Sequence, residues 1–467
     1  MKLFIFLILS LIFLTSAASN LKIYIFNVGQ ADSQLIVFPS GYSILIDAGD
    51  KAKSADNAKY IAKRIKKILG KSTVNVLVLT HLHIDHHGGY NNGGIWNLIA
   101  KQGITFKKFI SRNMGTYSGS SFSKCSASTI NWKYMSQSST TTAKFVCYAT
   151  SSKDKTKLSK VREVAKICST SQINPSDAGA EVQILMADAY GVKDSKGNYI
   201  HKMKYNAKGG ANENDYSICL RITYGKFVYS TCGDLSGQEY KFNDFYYHDI
   251  ESHVAPMMGE VDLYHVNHHG SKSATNTKWA NTLKPTVAVF SCGKNSESGH
   301  PAVTPLKNLN AVGTEFYLTN NCNSKNTDKF GKKIHIMNGD VVVTVPKDGK
   351  QFTVAKADGS ASKKFNIKMT KPARTACKKL AEEVDVSDND VPEVVDVDVN
   401  VNVDNEESEV DFEDPAFSDE EEDDVELEED EEFEMDDDDE VDDVYEEGEP
   451  EICDEDNEED LFNEEDL

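Results

Sequence analysis

From Ala381 to Leu467 the chain contains no lysine and no arginine, while the same stretch holds 48 aspartates and glutamates. Such a segment cannot bury a core against its own repulsion, so a folded domain is excluded there and a disordered acidic tail is predicted over 382–467. No Cys-x-x-Cys pair occurs, which argues against a structural zinc site. No Asn-x-Ser/Thr acceptor free of proline occurs, so N-glycosylation is not expected. Beyond the first fourteen residues no apolar run is long enough to cross a bilayer, and no stable membrane insertion is expected.

That first run, Leu3 to Leu14, follows Met1-Lys2 and ends in Thr15-Ser16-Ala17-Ala18-Ser19. A short positive region, an apolar stretch and a small-residue cleavage site predict a signal peptide over 1–18, hence secretion or a secretory-pathway lumen. Glu464-Glu465-Asp466-Leu467 is loosely like a luminal retrieval signal, which keeps the second destination open. Nine cysteines suit an oxidising compartment. Cys125, Cys147 and Cys168 are near enough in sequence to supply one disulfide, with the pairing undecided.

Outside the tail, 26 acidic residues face 50 basic ones, so a body of net charge +24 lies beneath the overall −24. A basic body favours an anionic partner such as nucleic acid, although solubility alone is served by the same charge. The tail would bind Ca²⁺, contact the basic surface intramolecularly, or simply keep the chain soluble.

The chemistry concentrates after Val74–Thr80, a run of β-formers. It ends in His81-Leu82-His83-Ile84-Asp85-His86-His87-Gly88-Gly89, five ligand-type residues in seven positions. His81 and His83 are two apart and point the same way in an extended segment. The glycines let the backbone bend closely around a bound group. Imidazole with carboxylate is a ligand set that zinc favours, with manganese or iron behind it.

His81-x-His83-x-Asp85-His86 with Gly88 resembles the signature of the metallo-β-lactamase superfamily. The resemblance implies an α/β fold, the αβ/βα sandwich, with a two-metal hydrolytic site at the edge of its sheets. Asn27-Val28-Gly29-Gln30-Ala31-Asp32-Ser33 resembles the N-V-G-Q-G-D stretch of the ComEC-like branch, hydrolases of DNA-uptake proteins, with Ala31 where the second glycine usually stands. Leu45-Ile46-Asp47, Thr231-Cys232-Gly233-Asp234, His268-His269-Gly270-Ser271-Lys272 and Gly299-His300-Pro301 follow in the branch's order. The likeness runs from Leu21 to Ala357, which suggests a hydrolase domain over 19–360, an insertion over 112–157 and a linker over 361–381.

Residue by residue, the resemblance implies that His81, His83 and Asp234 hold one ion, and that Asp85, His86, Asp234 and His268 hold the other. Which of His268 and His269 ligates is open at this point. His268 is favoured, with His269 set against substrate. Asp47 and Asp32 would support the ligands from behind. Asp85, His269, His300 and Ser271 would contact the reacting group, with Lys272 beside them. Two divalent ions, Zn²⁺ first and Mn²⁺ second, suit phosphodiester hydrolysis of DNA or RNA. A small ester (a phosphorylcholine diester, lactone or thioester) is the alternative, and a non-catalytic protein acting through its acidic tail is another. No membrane channel accompanies these motifs, so a role in DNA uptake does not carry over.

Local patterns predict a three-strand meander at 21–47, a helix over 54–69 and strands at 106–111 and 180–187. The basic residues Lys59, Lys63, Arg64, Lys66 and Lys67 would form the solvated face of that helix. Residues 158–168 read as helical, 189–210 as a polar loop, and 315–346 as the closing strands.

Overall fold

The protein is described by a computed structural model. It covers residues 20–368 and 377, apart from 51–53, 120, 136–138, 154–155, 204–209, 243–244, 295–298 and 348. The expected signal peptide at 1–18 and the acidic tail at 382–467 lie outside the described residues. All the described residues belong to the first of two compact units, Met1–Val394.

Side-chain alternation gives the first strands two apolar faces. Strands β1 (Asn20–Ile25), β2 (Gln34–Val37) and β3 (Ser43–Ile46) form the antiparallel meander. Strands β4 (Thr73–Leu79) and β5 (Thr105–Ser111) continue the sheet in parallel. A small hairpin, β6 (Thr116–Tyr117) with β7 (Ile130–Asn131), precedes β8 (Arg162–Val164), which pairs with β5.

The second sheet uses β9 (Ala180–Met186), β10 (Cys219–Tyr224) and β11 (Phe227–Thr231). After the hairpin of β12 (Gly237–Phe242) and β13 (Phe245–Asp249) it adds β14 (Leu263–His265), β15 (Val287–Phe290), β16 (Glu315–Leu318) and β17 (Ile334–Ile336). Strands β18 (Val341–Pro346), β19 (Gln351–Lys356) and β20 (Lys363–Asn366) return to the first sheet beside β1. The resulting orders are β20-β19-β18-β1-β2-β3-β4-β5-β8 and β17-β16-β15-β14-β11-β10-β9.

Ile23, Ile44, Val76 and Val78 of the first sheet meet Val182, Ile184, Leu220 and Ile222 of the second in a common core. On the first sheet's other face, Leu45, Leu77 and Leu79 pack on Ala58, Ile61, Ala62 and Ile65 of the helix Asp56–Leu69. On the second sheet's outer face, Val228, Tyr264, Ala288 and Phe316 pack on the helices Glu251–Met258, Thr277–Leu283 and Val303–Ala311. Two sheets face to face, each covered outside by helices, are the expected αβ/βα sandwich.

Several local expectations fail. Residues 158–168 are not a helix. A single turn, Ser159–Val161, leads into β8, because pairing with β5 supplies ladder hydrogen bonds that a marginal helix cannot match. The expected linker at 361–381 contains β20, and Cys377 is joined to Cys168, so the domain does not end at 360. The insertion is no bare loop: Ser139 caps a helix over Thr140–Thr150, its Phe145 and Val146 are buried, and Cys125 pairs with Cys147. Its helix is Thr-rich, which hid it from periodicity.

Arg64 also leaves the solvated face. Its Nε lies 2.7 Å from the buried Asp340 carboxylate. Asp340 accepts from Tyr60 Oη at 2.6 Å and from the backbone N of Asn27 at 3.0 Å, so it ties the first helix to the turn after β1. Removing it strands Arg64 and two donors. Asp340→Ala is expected to lose about 2–4 kcal/mol of unfolding free energy, read by urea denaturation at neutral pH.

Candidate metal centre

The site begins with a carboxylate that sees no water. Asp47, at the end of β3, has φ +57° and is fully buried. Its Oδ1 accepts from Thr80 N at 2.8 Å and its Oδ2 accepts from Thr80 Oγ1 at 2.7 Å. His86 Nδ1 donates to the same Oδ2 at 2.8 Å. The fork holds the exit of β4 and turns the other imidazole nitrogen, Nε2, toward Asp234 Oδ1 at 3.1 Å.

Backbone hydrogen bonds fasten the neighbouring turns to the ligand loop. Asp32 N donates to Asp85 O at 2.9 Å, and Gly49 N donates to Asp32 O at 2.9 Å. A Cβ on Gly49 would stand 1.5 Å from Asp85 O, so only glycine admits this approach.

Two ligand groups result. His81, His83 and Asp234 offer one donor atom each, and Asp85, His86, Asp234 and His269 form the second group. Within each group the donor atoms lie within 4.8 Å of one another. His81 Nε2 approaches His83 Nδ1 at 3.1 Å, and His269 Nε2 stands 3.2 Å from Asp85 Oδ2. Asp234 is common to both. A third grouping, Asp32 with Asp47 and His86, uses the Nδ1 already committed to Asp47 and describes support for the ligand rather than another ion.

These residues fit divalent metal. His86 Nε2 and Asp234 Oδ1 are both buried, and apart from the 3.1 Å charge contact between them neither has a hydrogen-bond partner. Buried polar atoms that lack hydrogen bonds carry a large penalty unless something else satisfies them. Imidazole and carboxylate donors are the set that zinc and manganese take.

The charges agree. Burial disfavours the charged form of His86, but the carboxylates of Asp234, Asp85 and Asp47 outweigh it and raise the pKa well above the usual histidine value. Burial likewise works against His269, which Asp234, Asp32 and Asp85 push up to about 10. Both rings therefore hold a proton at neutral pH when no metal is bound, and ligation requires the neutral nitrogen. Metal uptake at pH 7 should release protons, and affinity should weaken as pH falls. Calorimetry in buffers of differing ionisation enthalpy would read this, and proton-neutral uptake would contradict it.

With the geometry in view, comparison with known proteins is informative. The sequence profile of the Metallo-beta-lactamase superfamily matches residues 26–92, which span β2, β3, β4 and the ligand loop. Over those residues the chain matches a metallo-β-lactamase superfamily domain. It is also similar to ComE operon protein 3 of Bacillus subtilis (strain 168), at 28% identity over 121 residues. That match covers 26% of this chain and only 14% of the relative. Among solved structures, a chain assigned as a metal-dependent hydrolase from Parabacteroides distasonis covers 64% of this chain and 93% of its own length, at 10% identity and a TM-score of 0.32. A likeness that weak says nothing about this chain's chemistry. The family match and the ligand set agree on a domain able to bind metal.

Within that domain one expected assignment changes. His268 was favoured as a ligand, but the second group contains His269. Both residues have positive φ, and their ring centroids lie 6.4 Å apart. His269 goes inward, its Nδ1 donating to Ser291 O at 3.0 Å, while His268 stays partly exposed beside Ser273, Asn214 and the Tyr247 ring, its Nε2 still 3.8 Å from Asp234 Oδ2. His300 stands beside them, its ring centroid 5.7 Å from that of His268 and 6.4 Å from that of His269. Ser271 does not reach the ligand atoms. Its hydroxyl bonds Ser273 Oγ at 3.2 Å, and Ser273 bonds His268 Nδ1 at 3.2 Å. Asp32 is buried behind the site, with His265 at 3.5 Å and His269 at 3.8 Å. Lys272 is exposed. His87, the fifth ligand-type residue of the loop, turns away and stacks on Phe145 with ring centroids 4.5 Å apart.

Two buried glutamates were missed. Glu213 Oε1 accepts from Leu82 N, between the first two histidines, at 2.9 Å. Arg112 forks onto the same carboxylate at 2.6 and 2.7 Å. Glu251 accepts from Asn267 Nδ2, Thr275 N and Asn276 N, so it braces both ends of the loop carrying His268 and His269. Neither glutamate lies in a ligand motif, and their polar neighbours, Asn212, Asn214 and Asp215 around one and Asp249, Ser252 and His253 around the other, gave no local sign of burial. Glu213→Ala is expected to cost about 3–5 kcal/mol in denaturant titrations, since it breaks the buried fork and leaves Arg112 only the more distant Asp188 carboxylate at 3.6 Å. The double change Arg112→Met/Glu213→Leu should recover part of that loss yet still weaken metal binding, because Leu82 N keeps no acceptor.

Proposed function

We propose that this chain is a metal-dependent phosphodiesterase that cleaves DNA or RNA, with Zn²⁺ as its first-choice metal and Mn²⁺ as its second. The reading rests above all on Asp234, one buried carboxylate shared between two ligand groups. Two divalent ions so held would supply a bound water of lowered pKa and neutralise charge on a phosphoryl group.

The chain's own residues do the rest. Asp47 and Glu213 keep His86 and the His81–His83 segment in place. Asp85, whose side chain is 30% exposed, reaches the open side of the site and is placed to accept a proton from an attacking water. His268 and His300 flank the same opening and can donate N–H bonds to phosphoryl oxygens as negative charge grows there. The basic body, net +24 outside the tail, would concentrate a polyanion near the site. The resemblance to the ComEC-like branch supports nucleic acid over a smaller ester.

Secretion, or residence in a secretory lumen, belongs to the same proposal. The pairs Cys125–Cys147, Cys168–Cys377, Cys219–Cys232 and Cys292–Cys322 support an oxidising compartment. The deciding test is hydrolysis of bis-p-nitrophenyl phosphate and of single-stranded DNA by the purified chain with Zn²⁺ or Mn²⁺. Both should be cleaved, and Asp85→Ala/His86→Ala should lose at least about 10³-fold. Cleavage of the small diester alone would move the substrate to a small phosphodiester. Bound metal with turnover of neither would overturn the phosphodiesterase reading.

A further inference from the structure

The loop 190–203, expected to be merely polar, contains an aromatic cluster that the metal chemistry leaves unused. His201 is buried there, its ring 5.4 Å from that of Tyr199 and 6.1 Å from that of Tyr134. Tyr134 comes from the insertion, some 65 positions earlier, and continues inward to Tyr216 at 6.2 Å. Arg112 lies 4.9 Å over the Tyr216 ring while it grips Glu213, the acceptor for Leu82 N. A continuous path of rings thus runs from the half-buried Tyr199 to the backbone between two metal ligands. At its outer end Lys193 Nζ is 4.6 Å and Lys202 Nζ 5.3 Å from the Tyr199 ring, and both lysines are exposed.

Packing alone does not call for this arrangement. A partly open ring with two exposed cations over it offers stacking for a base once the lysine side chains turn from the ring to the adjoining phosphates. A duplex keeps its bases stacked inside and cannot use the ring, whereas an unpaired strand can.

We propose that Tyr199, flanked by Lys193 and Lys202, is a docking platform for unpaired nucleotides of a single-stranded nucleic acid that leads toward the metal centre. The proposal deepens the nuclease reading and rests on it for the course of the strand. The platform itself is a binding site with its own test.

The test is fluorescence anisotropy of a labelled 12-nucleotide single strand, and of the matching duplex, with the full chain in chelator so that cleavage plays no part. Tyr199→Ala should weaken single-strand binding about 5- to 100-fold, and Tyr199→Phe should keep it, since stacking needs only the ring. The duplex should bind more weakly and respond little to either change. Lys193→Ala/Lys202→Ala, at exposed positions that spare the fold, should lower the slope of log affinity against log salt by roughly 1.4. Thermal unfolding of each variant separates lost binding from lost structure. Single-strand affinity unchanged in folded Tyr199→Ala, no binding by the parent chain, or equal dependence of the duplex on Tyr199 would each overturn the platform. Intact Tyr199-dependent binding without nucleic-acid cleavage in the metal-loaded chain would overturn the nuclease reading and leave the platform standing.

Discussion

A carboxylate withdrawn from water must be met by N–H and O–H donors, and at Asp47 that requirement organises the site. Thr80 and His86 supply the donors, so the last residue of β4 and the central imidazole are held by one side chain of β3. Hydrogen bonds to a charged acceptor are shorter and stronger than neutral ones, and burial leaves them no competitor. Glu213 and Glu251 repeat the device, one at the backbone between His81 and His83, the other around the loop of His268 and His269. Each loop that carries metal ligands after β4 and β14 is therefore gripped from behind by a buried acid. An isolated buried charge would be costly: the Arg112 fork balances Glu213, and burial pushes the Glu251 carboxyl up to about 8, so that side chain is mainly protonated at neutral pH.

The sheets decide where those loops meet. Strand β4 runs parallel to β3, and β14 runs parallel to both β11 and β15. The ligand loop follows β4, Asp234 follows β11, the histidine pair follows β14, and His300 lies in the segment after β15. Ligands thus gather beyond the carboxyl ends of parallel strands in both sheets, the usual place for a site in an open α/β architecture. The antiparallel strands β1, β2, β18, β19 and β20 extend the first sheet without contributing ligands.

The residues of the two candidate ligand groups stood out in sequence because their chemistry is local. His81, His83, Asp85 and His86 crowd into six positions after an apolar strand, and Asp234 ends another. His269 was harder. Adjacent histidines are equivalent on paper, and only the folded surroundings, with Ser291 O as an acceptor for His269, tell the inward ring from the more exposed one. Arg112 read as the start of an insertion and Arg64 as one cation among many on a helix. Each instead neutralises an acid far away in sequence, Glu213 and Asp340, and no local pattern records such a pairing. The strand β8 was mistaken for helix for the same reason: its partner β5 lies some 50 residues away.

By itself the sequence determined the α/β class, the order of the ligand motifs and the division between a basic body and an acidic tail. The charge division follows from composition and the motifs from spacing, both properties of neighbouring residues, and the α/β class is what the resemblance of those motifs implies. Tertiary structure alone decided that His269 faces the second ligand group and that Ser271 stands behind His268. It also decided that buried glutamates brace the loops and that tyrosines from two distant segments form one path of rings. Those outcomes depend on which donors and acceptors burial brings within about 3 Å, and only the folded chain sets that distance.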